Sequence, residues 1–237
     1  MLLGLGAAAL WIAAPAESGE PQPAALGPGR VVVVPVNLAV RAAVELEPGL
    51  DPVWRALVAH FTSQQKLTVV LTRGDAGALW NEVMADEKRA GGGGDLYAAY
   101  RRFTLRVAEQ AQFGSIVFPT LVTHAARIKH RIADWDGIHR PVEVPGNFRE
   151  SIERFGDGKI WVDRHGAQGE LAAASLHVAV FSPTGELIHE GTGGLVLLQE
   201  LAPPAKKDEI ELTTVMRRNP FEAPEQLREG IAVAFGE

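Results

Sequence analysis

The side chains with the types for metal or acid–base chemistry are His124, His177, Asp134 and Asp136. His124 and His130 are even-numbered positions of one apolar-rich stretch. On a strand they share a face but stand roughly 20 Å apart, too far to hold one ion. His124 could meet His177 only if their strands were neighbours, and Asp134 or Asp136 would have to converge on them. The chemistry would then be that of a histidine–carboxylate zinc site. No His-Glu-x-x-His or comparable spacing accompanies these residues, so they are read as exposed or hydrogen-bonded sheet residues, and no metal or cofactor is assigned.

A serine hydrolase needs its nucleophile on a tight strand-to-helix turn, commonly Gly-x-Ser-x-Gly. Gly114-Ser115 enters a strand, and Ser182-Pro183 begins a hairpin turn, so neither fits. Asp86-Glu87 and Asp208-Glu209 lie in polar segments and read as solvated. Gly91-Gly92-Gly93-Gly94 has no Gly-Lys-Ser/Thr after it and does not follow a strand, so it is a loop rather than a phosphate cradle. No catalytic residue is assigned.

Binding chemistry has a better candidate. The turn Trp135-Asp136-Gly137, flanked by His130, Arg131, His139 and Arg140, sets an aromatic among hydrogen-bonding groups. That composition is favoured at protein interfaces, and Trp135, Asp136, His139 and Arg140 are the expected binding residues. The competing reading folds the indole back onto its own sheet.

The elements that position these residues start from Arg30-Val31-Val32-Val33-Val34-Pro35-Val36-Asn37. Such an unbroken β-branched run predicts a central strand buried on both faces. Asp51-Pro52 caps a helix reaching about Gln65, with Val53, Trp54, Leu57, Val58 and Phe61 on its apolar face. Leu67 to Thr72 is the second strand, parallel to the first. Asp75 to Lys88 is weakly helical, with Leu79, Trp80, Val83 and Met84 on one side. Leu96 to Gln112 is strongly helical, and Gly114 is placed as its stop. Ser115 to about Arg131 is a strand, and Ile138 to Val144 returns antiparallel. Residues 145–169 read as loop with a short helix near Asn147 to Arg154. Leu171 to Ser182 alternates as a strand, turns at Pro183-Thr184-Gly185 and pairs back from Glu186, while Pro224 to Phe235 is a C-terminal amphipathic helix. The expected fold class is therefore α/β: a mixed sheet with a parallel strand-helix-strand start, helices packed on it, and antiparallel hairpins after residue 115.

Composition bounds what this fold can serve. The 237 residues include no cysteine, which removes disulfides, thiolate metal sites, a cysteine nucleophile and a lipid-attachment cysteine. A net charge of −6 and a pI of about 5.7 argue against a nucleic-acid surface. Leu2 to Ala14 is uncharged and precedes Ala14-Pro15-Ala16, the pattern of a signal peptide over residues 1–16. The run is shorter than the roughly 20 residues a spanning helix needs. Residues 17–29 read as a flexible tail, 30–201 as the folded domain, and 202–237 as a linker with a docking helix.

The valine strand ending in Pro35, the Leu67-Thr68-Val69-Val70-Leu71-Thr72 strand and the helix ending Val107-Ala108-Glu109-Gln110-Ala111 form an ordered series. With the Ser115 to Val122 strand and the Phe181 to Leu187 hairpin, the series resembles bacterial envelope accessory domains typified by the curli-secretion lipoprotein and the Tol-system N-terminal domain. The resemblance covers roughly Arg30 to Leu201 as a pattern of elements. It implies an α/β domain acting without catalysis in envelope assembly. The missing cysteine departs from that pattern, so the resemblance does not extend to lipid anchoring. The expectation is an accessory or scaffold protein, periplasmic or secreted, whose partners are envelope proteins or its own copies, with peripheral membrane association a further option. The alternatives are a periplasmic metal-dependent or serine hydrolase around His124, His177 and Asp136, and a small-ligand binding module.

Overall fold

A computed structural model of the chain describes residues 12–13, 29–64, 66–89, 91, 94–144, 161–163, 166–202 and 213–237. The expected short helix near Asn147 to Arg154, the Pro/Gly tail before Gly29 and the 203–212 loop lie outside the described residues. The fold is α/β with a mixed sheet, as the sequence predicts. It divides into two compact units, each drawn from three separate stretches of chain. Unit 1 takes residues 1–41, 61–119 and 179–189, and unit 2 takes 42–60, 120–178 and 190–237.

In unit 1 the valine run forms β2 (Val31–Val33). It pairs in parallel with β3 (Thr68–Leu71) on one side, Val32 opposite Val69, and with β4 (Ser115–Lys129) on the other, Val32 opposite Ile116. The two residues of β1 (Ile12–Ala13) pair antiparallel with β3, Ile12 opposite Leu71. Strand β2 has hydrogen-bonded neighbours on both edges and valines on both faces, so Val31 to Val34 are all buried. Helix α1 (Leu50–Ser63), which belongs to unit 2 as far as His60, buries Val53, Leu57 and Phe61.

Helices α2 (Arg73–Arg89) and α3 (Leu96–Gln110) supply the rest of the unit 1 core. Trp80, Tyr100 and Phe103 cluster with Val32, Val69, Ile116 and Phe118, and the Tyr100 ring stacks on Phe118 at 4.1 Å between centroids. Met84, expected on the apolar side of α2, is instead largely exposed. Its position at the margin of a weakly amphipathic helix lets its flexible chain turn outward. Asp95 caps α3, its carboxylate accepting from the Tyr97 amide at 2.9 Å. The helix ends at extended Ala111, so Gly114 is not its stop. A Cβ on Gly114 would stand 3.2 Å from the backbone of Gly29, and this close approach is what the glycine serves. On the outer faces, Arg106 bonds Glu109 and Asp86. These contacts, the Glu109 hydrogen bond foremost, hold its guanidinium above its ordinary pKa.

In unit 2 the far part of β4 pairs antiparallel with β5 (Ile132–Trp135), which pairs with β6 (Ile138–Pro141). Both connections have two residues at positive φ: His130 (52°) and Arg131 (64°), then Asp136 (41°) and Gly137 (77°). Such turns match the right-handed twist of the strands they join, and Asp-Gly is among the sequences that form them most readily. Strand β7 (Trp161–Asp163) pairs with β8 (Gly166–Phe181), and β9 (Leu187–Leu197) pairs with β8. The small strands β10 (Gln199–Ala202) and β11 (Thr213–Met216) form a separate antiparallel pair. Alternation along β8 is only half realised: Ala173, Ala174, Ser175, Leu176, Val178 and Ala179 are all buried, so both faces are covered.

Helix α4 (Pro224–Ala234) closes unit 2. Its Gly230 lies against the backbone of Gly193 and Gly194 in β9, where a Cβ on any of the three would collide with main chain or the Trp135 ring. Around this contact Ala126, Ile128, Ala133, Trp135, Ile138, Leu171 and Leu197 form the unit's core.

Candidate functional site

The β5–β6 turn brings together two of the acid–base residues that the sequence singled out, His124 and Asp136. Asp136 tolerates its positive φ because a short polar side chain can bond locally. Its carboxylate Oδ2 lies 2.5 Å from His124 Nδ1 and accepts the Ser175 hydroxyl at 2.5 Å. Its main-chain carbonyl accepts the Gly194 amide at 3.1 Å. One aspartate therefore joins the turn to β4, β8 and β9 through three contacts. His124 is 42% exposed at its side chain and Asp136 23%, whereas Ser175 is wholly buried.

The chemistry of this cluster follows from which atom each donor faces. A hydrolytic serine must give its proton to the imidazole, with the aspartate on the far side of the ring. Here the hydroxyl and the imidazole converge on the same carboxylate oxygen, and the hydroxyl has no access to solvent. Ser175 is thus a structural donor. His124 bonds through Nδ1, the orientation in which a carboxylate fixes a histidine tautomer.

The four expected binding residues do not share a surface. Trp135 is only 4% exposed, and its indole Nε1 donates to Ala174 O at 3.4 Å. The expectation of an exposed tryptophan at a hairpin tip is therefore corrected: Trp135 is the last residue of β5, on the inward face, and its ring fills the space left by Gly194. Arg140 sits opposite Ala133 on that inward side and pairs with Glu229 of α4. His139 sits opposite Asp134 on the outward face, 3.3 Å from its carboxylate. Neighbours in sequence were taken as neighbours on a surface, but successive strand residues point to opposite faces.

His177 does not join His124. Its Nδ1 is 3.2 Å from Thr192 Oγ1, and its Nε2 is 3.6 Å from Glu190. Among the described residues no three His, Asp or Glu side chains converge as metal ligands. A cavity of about 230 Å³ lies among Val142, Val144, Leu171, Leu201 and Arg217, below the ~300–1,000 Å³ of ordinary small-molecule sites.

Two features escaped the sequence reading. Ser175 interrupts the run Ala172-Ala173-Ala174, and a lone polar residue in a buried small-residue run is a signal for an internal hydrogen bond. The pair Gly193-Gly194 within an apolar strand marks a close backbone approach.

No protein-family model, curated protein or solved structure matches this chain.

Proposed function

We propose that the protein is exported to the bacterial envelope and acts there without catalysis, as an accessory or scaffold protein that works through protein contacts. The observation that carries this reading is an exposed aliphatic edge on unit 1, where Leu187 and Ile188 stand on opposite faces of one strand. Leu187 and Ile188 open β9 and are 43% and 55% exposed, and among the described residues β9 pairs with β8 alone. Leu105 of α3, also exposed, reaches the Gly185 turn just before them. Exposed aliphatic residues on an edge strand offer both unpaired backbone groups and an apolar contact to an incoming chain. The use of Asp136 as a clasp for β4, β8 and β9 supports the same reading, since it commits the acid–base cluster to structure. The leader-like residues 1–16 and the resemblance to envelope accessory domains supply the compartment.

The test is crosslinking in intact cells from a photoreactive residue at position 188, followed by mass spectrometry. Reproducible adducts with envelope proteins or with the chain itself are expected, and Leu187→Asp should remove them while thermal stability stays within about 0.5 kcal/mol. Adducts no more abundant than those from a probe at an exposed helical site such as Arg55 would overturn the proposal.

A further inference from the structure

The β4–β5 connection carries a second surface, in unit 2, that is independent of the scaffold reading. Alternation puts Arg127 and Lys129 of β4 on the outward face, since Ala126 and Ile128 between them are buried. Across the strands Lys129 stands opposite Ile132, and Ile132 opposite Pro141. Ile132 is 47% exposed. The positive-φ turn of His130 and Arg131 projects beyond this group, and both residues are exposed. An aliphatic centre, Ile132 with Pro141, is thus rimmed by Arg127, Lys129 and Arg131.

The local charge opposes that of the whole chain. The chain's formal charge is −6, yet from Arg127 to Ile132 there is no carboxylate. The nearest in sequence are Asp134, which faces His139 at 3.3 Å, and Asp136, which is taken up by His124 and Ser175, with Glu143 further on. Among the described residues Arg127, Lys129 and Arg131 make no ion pair, although Arg127 stands opposite Asp134. This contrasts with Arg140, paired with Glu229, and Arg106, paired with Glu109 and Asp86.

We propose that this hairpin tip docks the protein on an anionic bilayer surface. Lys and Arg attract acidic headgroups while their alkyl stems lie along the interface, and an exposed aliphatic residue between them enters the headgroup boundary. A single-stranded nucleic acid is less suited to the surface, because base stacking uses aromatic platforms and the apolar centre here is isoleucine and proline, with His130 and His139 only at its margin. Asp134 offsets Arg127, leaving Lys129 and Arg131 to act at the tip. At about 1 kcal/mol per basic residue near an anionic surface, the two give roughly a thirtyfold preference for anionic over neutral lipid. The contact is weak and reversible, and it orients the protein rather than anchoring it.

The experiment is sedimentation of the full chain with vesicles of phosphatidylcholine alone and of phosphatidylcholine containing phosphatidylglycerol, at low and high salt. The expected result is binding to the anionic vesicles, lost at high salt and in Lys129→Glu/Arg131→Glu, and reduced severalfold in Ile132→Ser. Both variants alter exposed positions and should melt with the wild type, which circular dichroism checks. Equal binding to both lipids, no binding to either, or binding that survives the charge reversal in a folded variant would overturn the proposal. Failure here leaves the position 188 crosslinks unaffected, so the two proposals are separable.

Discussion

Replacing Asp136 by alanine tests whether this residue is a clasp. The substitution removes the acceptor of a wholly buried hydroxyl, and Ser175 would be left with an unsatisfied donor. Such a group costs roughly 1–3 kcal/mol. Alanine at a φ of 41° adds a further cost of about 1 kcal/mol, because an L-residue without a local hydrogen bond is strained there. The His124 contact is partly exposed and contributes no more than about 1 kcal/mol. The sum is a loss of about 2–5 kcal/mol. With an m-value of about 2 kcal/mol/M, the urea midpoint moves down by roughly 1–2.5 M. The measurement is urea unfolding followed by tryptophan fluorescence, with Ser175→Ala and the double variant completing a cycle. Because Ser175→Ala removes the stranded donor, the double variant should be more stable than the sum of the singles predicts, by about 1–2 kcal/mol. Asp136→Asn keeps an acceptor and tolerates positive φ, and should lose less than half as much. A loss below about 0.5 kcal/mol for Asp136→Ala, or strict additivity with Ser175→Ala, would refute the argument.

Trp135→Ala should lose about 3–5 kcal/mol in the same assay, as expected for deletion of a buried aromatic ring; a near-neutral change accompanied by lost partner binding would put the indole back on the surface. Gly230→Ala sets two effects against each other. Alanine favours the helix by about 1 kcal/mol, but here its methyl group would collide with the Gly194 carbonyl. Backbone has little room to yield, so a net loss of about 2–3 kcal/mol is expected, and any rise in melting temperature would contradict the contact between α4 and β9.

What the sequence makes legible is what local chemistry dictates. Four valines announce a strand buried on both faces, the Leu96 to Gln112 stripe announces α3, and Trp135-Asp136-Gly137 announces a turn. The site was harder, because its partners lie far apart in sequence: Ser175 is 39 residues from Asp136, and His124 is 12. Periodicity does show that Trp135 and Arg140 can share a face while His139 cannot. It does not show which face is buried. That choice depends on Gly194 and α4, which offer the indole a slot that only a missing side chain can leave. Ala173 and Ala174 read as weakly apolar, and their burial on both faces of β8 comes from the close packing that small side chains permit.

Interleaving of the two units along the chain has a consequence for synthesis. Unit 2 begins at Ala42 but lacks Gly230 and its neighbours until α4 has been made, so its core cannot close while the chain is still emerging. At about 5–20 residues per second, this leaves the Ala42 to His60 segment waiting on the order of ten seconds or more for its last partner. The interleaving also means that no single cut releases one unit whole, so a fragment ending before Pro224 should be recovered as a protease-sensitive chain rather than as a smaller stable domain.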